Sequence, residues 1–205
     1  MAADLLRLPR LFGAAPPALR LFGERVLLRP AERGDWQAWA ALRGESRPFL
    51  TPWEPSWSAD SLTRGAFRRR LQRYAADWRT DQGYSFLVFR LEDDALVGGI
   101  GLSNVRRGVA ETGSLGYWIG ERYGRQGYMT AGLQLVLGFA FQRLKLHRIE
   151  AATLPHNAPS RGLLLKSRFR EEGFAREYLC IDGRWQDHVL FAILREEWLG
   201  ESSGR

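Results

Sequence analysis

The spacing of apolar positions changes several times along the chain, and each change marks an element. Aromatic and β-branched residues crowd residues 114–119 (SLGYWI), which predicts a strand. After Gly124-Arg125-Gln126-Gly127 the apolar residues fall at Met129, Leu133, Val136, Leu137, Ala140, Phe141 and Leu144, a helical stripe. A glycine-containing turn therefore delivers a strand into the N-terminus of a long helix. Such an end carries unpaired backbone N–H groups and a positive dipole, which suit a phosphate or pyrophosphate. Arg125 adds a fixed positive charge there. The same glycines also serve a plain strand-to-helix turn, and this stretch alone leaves both readings open. No Gly-Lys-Ser/Thr follows it, so it is not a Walker-type loop. Gly98-Gly99-Ile100-Gly101 lies inside a strand-like run and is not a dinucleotide fingerprint.

The remaining pattern frames this unit. Residues 25–29 (RVLLR) predict a first strand closed by Pro30. Asp35 can cap a helix bearing Trp36, Trp39, Ala40 and Leu42, which ends near Arg47-Pro48. An aromatic, proline-stiffened loop follows over residues 49–55, and Ser58 or Asp60 starts an arginine-rich helix reaching about Trp78. Strands are predicted at residues 84–91 and 95–105, across Asp93-Asp94, then 114–119, and after the long helix at 148–153. Asn157 opens a short helix with Pro159 in its first turn, ending near Lys166. Residues 175–181 and 188–194 form the last strands, and Asp182-Gly183 between them is a hairpin signal. Together these predict an α+β domain with a mixed, mainly antiparallel sheet of six or seven strands and about four helices. Its one parallel step lies at the glycine turn. Residues 1–23 read as an N-terminal extension, either a flexible arm or a packed segment, 24–198 as the domain, and 199–205 as a tail.

Composition narrows the function classes. At 205 residues, 45% hydrophobic and 26% charged, the chain resembles one ordinary globular domain. A single cysteine excludes an internal disulfide and fits a reducing, cytoplasmic setting. His147, His156, His188 and Cys180 have no metal-ligand spacing, so no metal is expected. No apolar run approaches membrane-span length. The net charge of +7 favours an anionic partner. Much of it sits in residues 64–79, where Arg64, Arg68, Arg69, Arg70, Arg73 and Arg79 face only Asp77. That helix is either a solvated face or a contact for RNA or the ribosome.

Residues 114–194 resemble the GNAT superfamily of acyl-CoA-dependent N-acetyltransferases, and the element order over residues 25–194 is that of the GNAT fold. Within the superfamily the chain is most similar to the bacterial ribosomal-protein-alanine N-acetyltransferases. The resemblance rests on Gly127-Tyr128-Met129-Thr130, Pro155-His156-Asn157 with Ser160, Glu172-Gly173, and Ile181-Asp182-Gly183-Arg184-Trp185-Gln186-Asp187-His188. The Pro52-Trp53-Glu54-Pro55 loop fits the same branch. The resemblance implies an enzyme using acetyl-CoA as co-substrate, with an amine acceptor such as the N-terminus of a ribosomal protein.

Site roles follow from the resemblance. Backbone amides of Arg125, Gln126, Gly127, Tyr128, Met129 and Thr130 would cradle the pyrophosphate, and Tyr117, Trp118 and Ile119 would lie along the pantetheine. Asn157 would bind that portion by its side chain. Only Gly127 matches the family's phosphate consensus strictly, and Gly124 stands where Gln or Arg is usual. The thiolate acid is a tyrosine in many relatives, but Leu164 stands at that position and Ser160 is the substitute. Backbone N–H groups at Trp118 or Ile119 are the oxyanion donors. Glu177 is the general base, with Glu54 its rival, and Trp53, Glu54, Tyr178 and His188 are tentative acceptor contacts. Removing a proton from an α-amino group is a modest task, because its pKa is about 7.7–8.0. Two other readings remain: a small-molecule amine as acceptor, or a non-catalytic CoA- or RNA-binding module.

Overall fold

The computed structural model describes residues 19–200. Its centre is an eight-stranded sheet. Strands β1 (Leu21–Phe22), β2 (Val26–Arg29), β3 (Tyr84–Arg90), β4 (Leu96–Arg106) and β5 (Thr112–Ile119) are antiparallel neighbours. Next comes β6 (Arg148–Thr153), parallel to β5, followed by β8 (Arg184–Leu194) and β7 (Arg170–Ile181), both antiparallel to their neighbours. The parallel step falls at the strand–turn–helix unit, since a strand that returns through a helix re-enters in the same direction. The sheet exceeds the expected six or seven strands because Leu21 and Phe22 pair with Leu28 and Leu27. The first 18 residues and residues 201–205 lie outside the described residues.

Four longer helices, α1 (Trp36–Glu45), α3 (Arg64–Arg79), α4 (Tyr128–Gly138) and α5 (Ala158–Lys166), match the expected number. Single turns α2 (Arg47–Leu50) and α6 (Arg195–Leu199) are additional. The stripe on α4 is buried as its period requires: Leu133, Val136 and Leu137 are fully enclosed, at about 1.5–3 kcal/mol each. A π-helical turn, Phe139–Arg143, extends α4, and Phe139 packs edge-on against Tyr84 and Phe86. α4 and α1 take opposite faces of the sheet. A Cβ on Gly98 would point at Met129 of α4, and one on Gly99 at the Trp118 indole, over which Arg43 of α1 lies. Among the described residues no helix is long and apolar enough to cross a membrane.

Several local expectations change for physical reasons. Asp35 occupies the position before α1 but does not cap it; Arg29 holds its carboxylate through two bonds at 2.6 and 2.8 Å, and the Glu32 N–H donates to it. Residues 49–55 are not a plain loop, since α2 and a 3-10 turn, Thr51–Trp53, occupy most of them. Neither Ser58 nor Asp60 starts α3: the Ser58 hydroxyl donates to Asp60, which also pairs with Arg69. Thr63 is the true cap, accepting from the Ala66 N–H at 3.2 Å. Strands β7 and β8 begin five and four residues earlier than expected, at Arg170 and Arg184. Asp182 and Gly183 have φ of 45° and 76°, the left-handed pair of a tight hairpin.

Gly98 is required by close approach. Any Cβ there would overlap the Trp118 carbonyl oxygen and lie 3.2 Å from Ile119 Cα. Gly98→Ala should therefore cost about 1–3 kcal/mol by prying β4 from β5. Urea unfolding measures this, and a loss well under 1 kcal/mol would mean that the strands are not this tightly apposed.

Candidate active site

β5 and β6 pair over only three positions, Thr112 with Arg148, Gly113 with Ile149 and Ser114 with Glu150. Beyond Ser114, β5 stays on β4 as far as Ile119, while β6 follows β8 as far as Thr153. The two strands diverge, and residues 115–119 have no partner on the β6 side. A cleft of about 1360 Å³ opens between them, beyond the ~300–1,000 Å³ usual for small-molecule sites. Tyr117, Trp118, Ile119, Arg125, Gly127, Tyr128, Met129, Thr130, Asn157 and Ser160 all line it. Local patterning at scattered positions thus converges on one space.

Beyond the end of β5 lies the glycine turn. Gly127 has φ of 85°, which favours glycine, and its carbonyl accepts the first helical bond from Ala131 at 3.0 Å. The Gly124 N–H bonds to Glu121 at 3.0 Å. Between these two bonds, the backbone N–H groups of Arg125, Gln126, Gly127, Tyr128, Met129 and Thr130 have no protein acceptor among the described residues. Six successive free donors at a helix N-terminus form an anion cradle. The Gln126 side chain turns away, donating to the Arg122 carbonyl at 2.7 Å, so that only its backbone can serve the cradle. Arg25, which the sequence did not single out, donates to the Gln126 carbonyl at 2.8 Å and lies over the Tyr128 ring. It pins the turn from outside, across 101 positions of sequence.

On the opposite wall, Asn157 caps α5 by accepting from the Ser160 N–H at 3.1 Å. Its carbonyl oxygen is thereby committed, and its amide NH2 is the part free to donate to a ligand. Ser160 Oγ lies 2.6 Å from the Tyr117 hydroxyl, a bond no local pattern announces. Burial pushes the Tyr117 pKa up to about 12, against the smaller opposing effect of the Ser160 bond. Tyr117 is thus a neutral hydroxyl that holds Ser160 in place. Among the described residues no cluster of three or more His, Cys, Asp or Glu side chains could hold a metal ion.

A second cavity of about 860 Å³ lies beneath α1 and α3. It shares Glu54, Pro55, Ser103, Gly116, Tyr117 and Trp118 with the cleft, so β5 is the wall common to both. At Gly116 a Cβ would meet nothing within 4 Å, so the strand is bare where the cavities meet. Glu54 forms an ion pair with the buried Arg43, whose Nη1 lies 3.1 Å from Oε1. Trp57 Nε1 donates to Glu54 Oε2 at 2.9 Å, and the Asp182 N–H donates to the Glu54 carbonyl at 2.9 Å. Glu54 thereby ties α1 to the β7–β8 hairpin. A carboxylate has about four lone-pair sites, and one on Oε1 remains.

The other expected acceptor contacts divide. Trp53 lines the cleft beside His156, with ring centroids 5.4 Å apart. Tyr178 and His188 also line it, their rings 5.8 Å apart and edge-on. His188 is 2% exposed, and its Nδ1 lies 2.9 Å from the Gln186 carbonyl, which fixes the Nδ1–H tautomer when the ring is neutral. Glu177 lines neither cavity and is exposed. Register slips between Ala175 and Leu179, Glu177 has φ of 46°, and its N–H bonds to Asp187 at 2.9 Å. That bulge breaks the alternation which would otherwise aim its side chain.

A raised tyrosine pKa means that the folded state favours the neutral form. The stability it contributes is complete below about pH 10 and is lost as pH rises through about 12. Wild-type protein should lose about 2–3 kcal/mol more than Tyr117→Phe across that window. Urea titrations on either side of it measure the difference, and parallel curves would place Tyr117 in solvent instead.

Comparison with known proteins agrees with this geometry. The family model described as an acetyltransferase (GNAT) domain matches residues 25–170. A Bacillus subtilis protein named "Probable N-acetyltransferase YjcK" is 35% identical over 86% of this chain and 98% of its own. The Escherichia coli [ribosomal protein uS5]-alanine N-acetyltransferase is 32% identical over 89% of this chain and 94% of its own. The structure of Mycobacterium smegmatis RimJ in complex with CoA-disulfide superposes with a TM-score of 0.80 at 35% identity, covering 84% of this chain and 83% of that one. With the splayed parallel strands and the amide cradle, these matches show that the chain belongs to the GNAT acetyltransferase family.

Proposed function

We propose that the protein transfers an acetyl group from acetyl-CoA to the N-terminal α-amino group of an Ala-starting ribosomal protein. The observation that carries this is the unpaired β5 edge, running from the amide cradle to Ser160. It fits a long ligand with an anionic end and an amide-bearing arm, since free strand donors and acceptors bind extended amides as an added strand would. The RimJ relative with bound CoA-disulfide and the uS5-alanine acetyltransferase relative support the co-substrate and the acceptor class.

Acetyl-CoA supplies an activated thioester. The N–H groups of residues 125–130 hold its pyrophosphate, aided by Arg125, and the Asn157 NH2 and the β5 edge align its arm. The Ile119 N–H faces negative charge developing on the acyl oxygen, whereas Trp118, whose carbonyl abuts Gly98, turns its N–H toward β4. Ser160 Oγ–H relays a proton to the departing sulfur, and the proton released by the acylated amine restores the hydroxyl, so that no alkoxide is left. Tyr117 is a neutral hydroxyl hydrogen-bonded to Ser160 Oγ. Its role is to orient the Ser160 hydroxyl. The free site on Glu54 Oε1 receives the incoming amine, whose own pKa near 8 leaves a reactive neutral fraction at physiological pH. Glu177 has no part in this scheme.

Acetyl-CoA turnover against peptides varied at their first two residues, read by mass spectrometry, tests the proposal. Ala-starting peptides should be acetylated at the α-amino group, with kcat/KM rising through about pH 8. Ser160→Ala should lower kcat about 100-fold while CoA affinity holds, and Tyr117→Phe about 10-fold. Full activity in Ser160→Ala, or acetylation of small amines only, would overturn it.

A further inference from the structure

The cavity beneath α1 and α3 has a charge pattern that the transfer chemistry does not require. Four arginines line it, Arg43, Arg69, Arg70 and Arg73, against two carboxylates, Glu54 and Asp60. Both carboxylates are already engaged, Glu54 by Arg43 and Asp60 by Arg69. Arg70 and Arg73 have no ion-pair partner among the described residues. Aromatic faces hold them instead: Arg70 lies 5.3 Å from the Trp39 ring centroid and donates to the Tyr74 hydroxyl at 3.1 Å, and Arg73 lies 5.7 Å from the Tyr74 centroid. A guanidinium stacked on a ring keeps its in-plane donors free for a carboxylate. The two sit one turn apart on one side of α3, and their cavity meets the cleft at Gly116, Tyr117 and Trp118.

We infer that this cavity receives the acceptor peptide behind its reacting amine and selects acceptors with Asp or Glu in the residues that follow the first. The inference rests on the proposed peptide acetylation and names the acceptor class for that site. Position decides between a peptide and RNA as the anionic occupant. Arg69, Arg70 and Arg73 line a concavity that joins the reacting centre, whereas an RNA-binding stripe would be spread over an outer face. Lysine- or arginine-rich N-termini are disfavoured here by like charge.

The test uses the full chain with three peptides that share their first two residues and carry acidic, neutral or basic residues at the next four. At low salt the acidic peptide should exceed the basic one at least about ten-fold in kcat/KM, mostly through KM, and the ratio should shrink as salt rises. Arg73→Glu and Arg70→Ala should flatten or invert that order, while Kd for acetyl-CoA, bound away from α3, stays unchanged. Equal turnover of the acidic and basic peptides, with acetylation intact, overturns this inference alone. Competitive inhibition by an RNA oligonucleotide that is relieved by Arg73→Glu, with no preference among peptides, also overturns it. Acetylation of small amines with no peptide accepted overturns it together with the parent proposal. Because the arginines are at a cavity wall, a melting curve for each variant separates unfolding from lost selectivity.

Discussion

The short parallel contact between β5 and β6 is the constraint on which the site depends. Three paired positions join the two halves of the sheet, and then each strand is held by its other neighbour. Strand twist alone separates neighbours that are not stitched together. The close β4–β5 contact at Gly98 keeps β5 on the first half, and pairing with β8 as far as Thr153 keeps β6 on the second. Each backbone amide left bare in the gap is costly unless water or a ligand takes it. The cleft is therefore unsatisfied along one edge by construction, which is what an extended amide-bearing ligand needs.

Other features serve to keep that edge in working order. Arg25 locks the outside of the phosphate turn through the Gln126 carbonyl. Asn157 spends its carbonyl on capping α5 and so fixes where Ser160 stands. Glu54 connects three elements, through Arg43 of α1, through Trp57, and through the Asp182 N–H of the hairpin turn. Burying Arg43 without this partner would leave an uncompensated charge, at about 3–5 kcal/mol. This wall of the cleft is thus built on a buried ion pair rather than on a flexible loop.

The local signals in the sequence located the unit that matters. A strand, a glycine turn and an apolar stripe of period 3.6 are short-range features, and they placed α4, the parallel step and the turn between them. Asp182-Gly183 likewise marked its hairpin, because only left-handed φ values close it. What escaped was long-range or broke the period. The Tyr117–Ser160 bond spans 43 positions and the Arg25–Gln126 bond 101. Glu177 was placed at the acceptor by the resemblance, but it sits at a bulge and lines neither cavity. The arginines of α3 read as either a solvated face or a partner contact; Arg69 and Arg73 are exposed, and that they also line a cavity with Arg70 depends on tertiary packing that no local pattern announces.

The proposed acetyl-CoA site is the bare β5 edge together with the six amides of the glycine turn. Amide hydrogen exchange measured with and without acetyl-CoA addresses it directly. Strong protection confined to Leu115, Tyr117 and Ile119, whose N–H groups face away from β4, and to residues 125–130, with little change on α3, is the predicted result. Tight binding that leaves those amides exchanging as fast as in the free protein would contradict it.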